Sequence, residues 1–143
     1  RSRRQRQMCI RDSPKLKPYR TEWQIYDSSL SLAGTIDMVY EKNNGELFLF
    51  DWKRSKKILD VNGKISSNHY EYGLEDLSHI GASSFNKYCL QLNIYRKILE
   101  NNYDKTISSM NILVLHSKYD TYYHLKVPKM EKEALFLIKN AQL

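Results

Sequence analysis

A hairpin of two buried segments is the feature that most constrains the fold of this 143-residue chain. The segment SLAGTIDMVYE, residues 31–41, alternates with the period of a strand. Both of its alternating sets are largely apolar, which is typical of a strand covered on both faces. Asn43, Asn44 and Gly45 then supply residue types that adopt the positive φ angles of a hairpin turn. ELFLFDWK, residues 46–53, returns as the next strand.

The other segments complete a mixed α/β pattern, read from their hydrophobic periods. The predicted strands span 19–26, 31–41, 46–53, 109–116 and 121–127, and the predicted helices span 84–101 and 129–140. Residues 54–81 are polar, with at most a short helix over 74–79, and a connection of this length is usually functional or disordered. The order β-β-β, long loop, α, β-β, α predicts a mixed sheet covered by helices.

Composition narrows the class of protein. Apolar residues make up 41% of the chain and 11 residues are tyrosines, which favours a folded globule over a disordered segment. No run approaches the roughly 18 apolar residues of a membrane span, and no signal segment opens the chain, so we expect a soluble, intracellular protein. Cys9 and Cys89 are too few for a four-ligand zinc or iron–sulfur site.

The first 13 residues, RSRRQRQMCIRDS, carry most of the net charge. They hold five of the 23 basic side chains and one of the 16 acidic ones, or +4 of the total +7. MCIRDS resembles the translation of an adapter used to prepare sequencing libraries, so we expect residues 1–13 to be non-native and the natural protein to be longer. A basic tail that binds phosphates is the alternative. Residues 14–143 form the one predicted domain, whose charge of +3 is compatible with a nucleic-acid partner.

Asp51 and Lys53 place charge at the end of an apolar strand. Strand period puts both on one face, with Trp52 on the other. Asp37 lies on the neighbouring strand, and we expect it to converge with them if the hairpin register matches. Two carboxylates in contact need a cation, and hard oxygen ligands select Mg²⁺ or Mn²⁺. The alternative is a solvated ion pair at a strand end.

Three short motifs occur in a fixed order: GTID (Gly34–Asp37), DWK (Asp51–Lys53) and QLNIY (Gln91–Tyr95). This order resembles the PD-(D/E)XK nuclease superfamily, closest to its RecB-like exonuclease branch with Gly-x-x-Asp, Asp-x-Lys and Gln-x-x-x-Tyr. The resemblance implies a restriction-endonuclease-like fold over residues 14–143, a mixed central sheet flanked by helices, without the helix that usually precedes it.

The same resemblance implies a Mg²⁺- or Mn²⁺-dependent deoxyribonuclease that hydrolyses DNA phosphodiester bonds. An exonuclease of DNA repair, recombination or replication is the expected type, with DNA and a helicase or recombination protein as partners. A catalytically inactive DNA-binding module of the same fold is the alternative, and a plain α/β interaction domain is a third reading. The lysine-, asparagine- and tyrosine-rich composition suggests an AT-rich genome, such as a viral one.

Residue roles carry over by matching motif positions. Asp37 and Asp51 would be metal-binding carboxylates, joined by the backbone carbonyl of Trp52, and Lys53 would be the catalytic lysine. Glu22, in the first predicted strand, would be a third acidic catalytic residue. An exposed strand glutamate is the alternative reading for Glu22.

Further positions would contact the substrate. Gln91 and Tyr95, one helical turn apart, would face the active site and position the substrate strand, although Tyr95 also fits the apolar stripe of the helix. Arg54 and Lys56 follow the strand and would contact phosphates without reading sequence. Gly34 is expected to permit a close backbone approach.

The chain departs from the family pattern in two respects. Many RecB-like members carry a histidine on a helix before the first strand, whereas the first histidine here is His69. We expect His69, His79, His116 and His124 to be ordinary surface or turn residues. The four cysteines of the iron–sulfur subgroup are absent, which excludes that subgroup and its cluster.

Overall fold

A computed structural model describes residues 16–54, 58–59, 64–65, 81, 83–116 and 122–140. The elements are β1 (Leu16–Asp27), β2 (Leu32–Lys42), β3 (Leu47–Lys53), α1 (Ser84–Asn102), β4 (Ile107–Val114), β5 (Tyr123–Lys126) and α2 (Glu131–Asn140). Every predicted strand and long helix is therefore confirmed, with boundaries shifted by at most three residues. The segment 1–13, the short helix over 74–79 and Lys56 lie outside the described residues. In the described part of the chain, no helix combines the length and apolar character needed to cross a membrane.

The five strands form one mixed sheet in the order β1-β2-β3-β4-β5. The pairs β1–β2, β2–β3 and β4–β5 are antiparallel, whereas β3 and β4 are parallel. Parallel neighbours cannot be joined by a hairpin, and the connection between β3 and β4 contains α1. The prediction of an α/β fold with a mixed sheet is confirmed.

The turn between β2 and β3 uses only one positive φ angle. Gly45 has a φ of +86° and its N–H donates to the carbonyl of Lys42 at 2.9 Å. Asn44 instead accepts the N–H of Glu46 through Oδ1 at 3.1 Å. The expectation that Asn43 and Asn44 also adopt positive φ angles is wrong, because a turn of ordinary residues followed by one left-handed glycine already closes this hairpin.

The main core lies between α1 and one face of the sheet. It is formed by fully buried side chains of both layers: Val39, Leu47, Leu49, Ile112 and Val114 from the sheet and Cys89, Leu92, Ile98 and Leu99 from α1. A smaller cluster on the opposite face contains Met38, Tyr40, Phe50 and Leu113. Both faces of β2 and β3 are thus covered, as the apolar character of both alternating sets predicted.

Polar side chains fix α2 against α1. Asn93 of α1 is buried, and its Nδ2 donates to the carbonyl of Pro128 at 3.0 Å. Its Oδ1 accepts the N–H of Met130 at 2.8 Å, just before α2 begins. Arg96 contacts Glu100 at 2.6 Å and Glu131 of α2 at 3.5 Å. These contacts join the chain segment between β5 and α2 to the helix that covers the sheet.

Candidate active site

Asp37 and Asp51 meet where the β2–β3 ladder ends. The last Cα pair of that ladder is Met38 with Phe50, and the same register continued by one residue places Asp37 opposite Asp51. The two carboxyl groups are in hydrogen-bond contact. Asp37 Oδ2 also accepts the backbone N–H of Trp52 at 2.8 Å, which fixes the Asp37 side chain against β3. The prediction that both carboxylates lie on one face is confirmed.

Lys53 completes a row of charge on the same face of β3. Its Nζ lies 2.9 Å from Asp51 Oδ2, as two residues one strand period apart allow. The side chain of Asp51 is only 6% exposed and that of Lys53 is 21% exposed. The ammonium group also lies 4.3 Å from the ring centroid of Tyr88 in α1, within the range of a cation–π contact. Lys53 is therefore held between a buried carboxylate and an aromatic ring.

The carboxyl group of Asp51 has a pKa well above that of an ordinary aspartate. Burial is the largest of the effects that raise the pKa of Asp51 from 3.8 to about 7. The hydrogen bond and charge of Asp37 contribute to this rise, and Lys53 offsets part of it. Two carboxylates in contact cannot both ionise easily unless positive charge lies between them. The pair is therefore poised to exchange a proton for a cation near neutral pH.

Gln91 and Tyr95 lie on the face of α1 that is turned toward this pair. The hydroxyl of Tyr95 is hydrogen-bonded with the Gln91 side chain and with the backbone of Thr35 in β2. Burial raises the pKa of Tyr95, and the charge of Asp51 raises it further, which places the two groups within electrostatic reach. The predicted orientation of Gln91 and Tyr95 is confirmed, whereas their role on a substrate stays a prediction.

Gly34 permits the close approach of α1 to β2. A Cβ added at Gly34 would lie 2.8 Å from Tyr95 Oη and closer still to two carbons of the ring. Any other residue would push the ring away from the strand. The expected reason for a glycine in the GTID motif is therefore confirmed.

Tyr88 is a site residue that the sequence reasoning missed. It precedes Gln91 by three residues and Tyr95 by seven, so all three share one face of α1. Tyr88 fits the apolar stripe of the helix, but its three-residue spacing to Gln91 was a usable signal of a position at the site. Ser83 fixes where the helix starts, since its Oγ accepts the N–H of Asn86 at 3.2 Å.

Glu22 and Arg54, both in the described part of the chain, form no hydrogen bond or ion pair with the carboxylate pair. Glu22 lies between the Thr21–Met38 and Trp23–Ile36 pairs of the β1–β2 ladder and has no Cα partner there. It is exposed, and its φ of 47° takes the strand out of regular geometry. Among the described residues, no group of three or more histidine, cysteine, aspartate or glutamate side chains could hold a metal ion. Arg54 is exposed directly after β3. Lys56 lies outside the described residues.

Two of the four histidines lie among the described residues. His124 is exposed in β5, as expected of a surface residue, and its Nε2 is 2.7 Å from Asn111 Oδ1. His116 follows β4 and is half-buried. His69 and His79 lie outside the described residues.

Comparisons of the sequence with protein-family models and with curated proteins give no match. A function for the chain must therefore be argued from the geometry at Asp37, Asp51 and Lys53 and from the order of the three motifs. Both point to one end of the β2–β3 hairpin.

Proposed function

We propose that the chain is a metal-dependent nuclease that hydrolyses DNA phosphodiester bonds. The observation that carries the proposal is the contact between Asp37 and Asp51, with Lys53 at 2.9 Å from Asp51 and a polar helix face opposite. An ordinary ion pair at a strand end has neither a second carboxylate in contact with the first nor a raised pKa. The mixed sheet and the motif order are also compatible with a restriction-endonuclease-like fold of the RecB-like branch, which is part of the proposal.

The donor set fits a Mg²⁺ or Mn²⁺ cofactor. The carboxylates of Asp37 and Asp51 and the backbone carbonyl of Trp52 would hold it, because all three are hard oxygen donors. Magnesium is commonly bound by one or two carboxylates plus water and substrate phosphate, so a third acidic ligand is not required. The bound ion would polarise the scissile phosphate and lower the pKa of a water molecule.

The side chains around the pair have separable tasks. Lys53 presents an ammonium group that orients the attacking oxygen and offsets negative charge developing on the phosphate. Tyr88 restricts the position of that ammonium group, since its ring lies 4.3 Å away. Gln91 and Tyr95 hold each other through a hydrogen bond and set the distance between α1 and the strand ends. Arg54, exposed beyond Lys53, offers a contact to a neighbouring phosphate.

The proposed substrate is DNA, cut from an end, in repair, recombination or replication inside a cell. A helicase or recombination protein would supply such ends. Arg54 and the neighbouring lysines bind phosphates regardless of base, which suits an enzyme that progresses along a strand.

The test is a cleavage assay with end-labelled single- and double-stranded DNA, in Mg²⁺ and in EDTA. The wild-type protein should release labelled products only with Mg²⁺, and Asp51→Ala and Lys53→Ala should each be slower by roughly 10²- to 10⁴-fold. Lys132→Ala, an exposed change on α2, is the matched control and should keep wild-type activity. Circular DNA and RNA of the same sequence separate end-dependent from internal cleavage and DNA from RNA.

If wild type and both active-site variants bind DNA equally and none of them cleaves it, the enzyme proposal fails. The catalytically inactive DNA-binding module would then be the better description. Cleavage that survives both Asp51→Ala and Lys53→Ala would place the chemistry elsewhere in the chain.

A further inference from the structure

A cavity of about 280 Å³ lies where β3 and β4 begin, at the opposite end of these strands from Asp51 and Lys53. Its described walls include Lys42, Phe48, Ser108, Ser109, Lys126 and Lys129. Phe48 precedes Asp51 by three residues on β3, so the two side chains point to opposite faces of the sheet. The cavity is therefore separate from the candidate active site.

Three lysines, Lys42, Lys126 and Lys129, line this cavity, and acidic side chains compensate little of their charge. Lys42 pairs with Glu46 only at 3.7 Å, and about a third of each side chain is exposed, which makes a weak ion pair. Lys126 and Lys129 are exposed, and neither forms an ion pair with another described residue. The walls thus carry an excess of positive charge that favours an anionic occupant.

A bulge in β4 shapes the cavity wall. Leu47 pairs with Ile107 and Phe48 pairs with Ser109, so Ser108 is an extra residue in the parallel ladder between β3 and β4. Bulges of this kind re-aim side chains beside functional sites. Here the bulge directs the exposed Ser108 to the same cavity that the lysines surround.

A chain of hydrogen bonds runs from His124 through Asn111 to Ser109, the second serine of the cavity wall. Asn111 is buried, and its Nδ2 donates to the carbonyl of Leu49 at 3.1 Å, which fixes the orientation of the amide. The same nitrogen donates to Ser109 Oγ at 3.0 Å, while Asn111 Oδ1 lies 2.7 Å from His124 Nε2 and must accept from it. Because the oxygen of Ser109 already accepts, its hydroxyl hydrogen is available as a donor at the cavity wall.

We propose that this cavity binds a phosphate group, carried either by a free nucleotide or by a nucleic-acid backbone. Lysine ammonium groups and an oriented serine donor are the partners that phosphate oxygens require. The volume lies just below the roughly 300 to 1,000 Å³ of small-molecule pockets, which suits a phosphate with an adjoining sugar. Phe48, half-buried beside Lys42, supplies an apolar surface for that sugar or for a base. The proposal is independent of the nuclease proposal.

The test uses the ¹⁵N-labelled full chain in EDTA, followed by amide chemical shifts in NMR titrations. The probes are inorganic phosphate, thymidine 5′-monophosphate and a thymidine dodecamer. We expect shifts at the amides of Ser108, Ser109 and Lys126. The double variant Lys126→Gln/Lys129→Gln should weaken binding by about tenfold or more, because two charge-assisted contacts are lost. Lys132→Gln/Lys139→Gln removes the same charge from exposed positions of α2 outside the cavity and should bind as wild type does.

The pattern among the probes identifies the source of the phosphate. Tighter binding of the monophosphate indicates a nucleotide site, and tighter binding of the dodecamer with a steep salt dependence indicates a backbone site. The proposal is overturned if no probe shifts the cavity amides, or if both double variants lose binding equally. Shifts confined to Asp51, Lys53 and α1 would also overturn it while leaving the nuclease proposal intact.

Discussion

At the scale of single residues, Asp51 connects the geometry of the candidate site to a property that can be measured without a substrate. Its carboxyl group is buried, touches Asp37 and lies 2.9 Å from Lys53. Burial destabilises the charged form of Asp51 more than the ammonium group of Lys53 stabilises it. The pKa of Asp51 is therefore raised. A site that serves only as a structural ion pair would have the opposite shift, because an isolated cation lowers the pKa of its carboxylate partner.

The raised pKa of Asp51 predicts a pH-dependent stability. An acid whose pKa is higher in the folded protein stabilises the fold below its unfolded pKa, here near 3.8, and that stabilisation is lost as the pH rises toward about 7. In EDTA, Asp51→Asn should therefore gain stability relative to wild type between pH 4.5 and 7.5, by roughly 2 to 4 kcal/mol. Urea unfolding of both proteins across this range measures the difference.

Asp104→Asn, an exposed aspartate outside the site, is the control for that series. Its free energy of unfolding should track wild type at every pH within about 0.5 kcal/mol. A constant difference between wild type and Asp51→Asn from pH 4.5 to 7.5 would contradict the raised pKa.

The sequence could predict some of these residue positions but not others. The shared face of Asp37, Asp51 and Lys53 followed from the two-residue period of a strand, which is a local rule. The irregular backbone at Glu22 did not follow, because a positive φ at a glutamate inside a strand has no sequence signal. The contact between Tyr88 and Lys53 also depends on how α1 is rotated over the sheet, which is a tertiary property.

At the scale of elements, hydrophobic period was sufficient for the order and approximate bounds of the strands and helices. ELFLFDWK is a short apolar run that follows a turn of asparagine and glycine, and its length and flanking turn indicate a strand rather than a helix. The parallel register of β3 with β4, and the bulge at Ser108, were not predictable, since both depend on how a distant segment docks. The link from Asn93 to the start of α2 was hidden for the same reason, because its partners lie 35 and 37 residues away.

Asn93 gives the prediction that belongs to this scale. Asn93→Ala would leave the N–H of Met130 and the carbonyl of Pro128 without their partner at the buried junction of α1 and α2. We expect a loss of roughly 2 to 3 kcal/mol in the free energy of unfolding, since unsatisfied buried groups cost about that much. Asn101→Ala, an exposed position on the same helix, should change stability by about 0.5 kcal/mol or less. Equal effects of the two substitutions in urea unfolding would show that Asn93 does not fix the junction.

At the scale of the whole molecule, one sheet separates two regions of opposite chemistry. The face covered by α1 presents the acidic pair and Lys53 at the end of β3. The basic cavity, with Lys42 and Lys126 in its walls, lies at the start of the same strand. The two regions lie at opposite ends of β3, so a ligand at one leaves the other accessible. Substitutions in the two regions should therefore act additively.

Binding of Mg²⁺ should raise the thermal stability of the whole domain. A ligand that binds only the folded state stabilises it by about 2.7 kcal/mol at a hundredfold excess over Kd, which corresponds to a rise in Tm of roughly 5 to 10 °C for a chain of this size. The rise should be larger at pH 8 than at pH 6, because the proton on Asp51 competes with the cation.

Asp51→Asn should lose the rise, whereas Glu22→Gln should keep it, since Glu22 is exposed and outside the carboxylate pair. Differential scanning calorimetry with Mg²⁺ and with EDTA makes the measurement. A rise that Glu22→Gln abolishes would instead make Glu22 a third ligand, recruited when the cation draws its side chain toward Asp37.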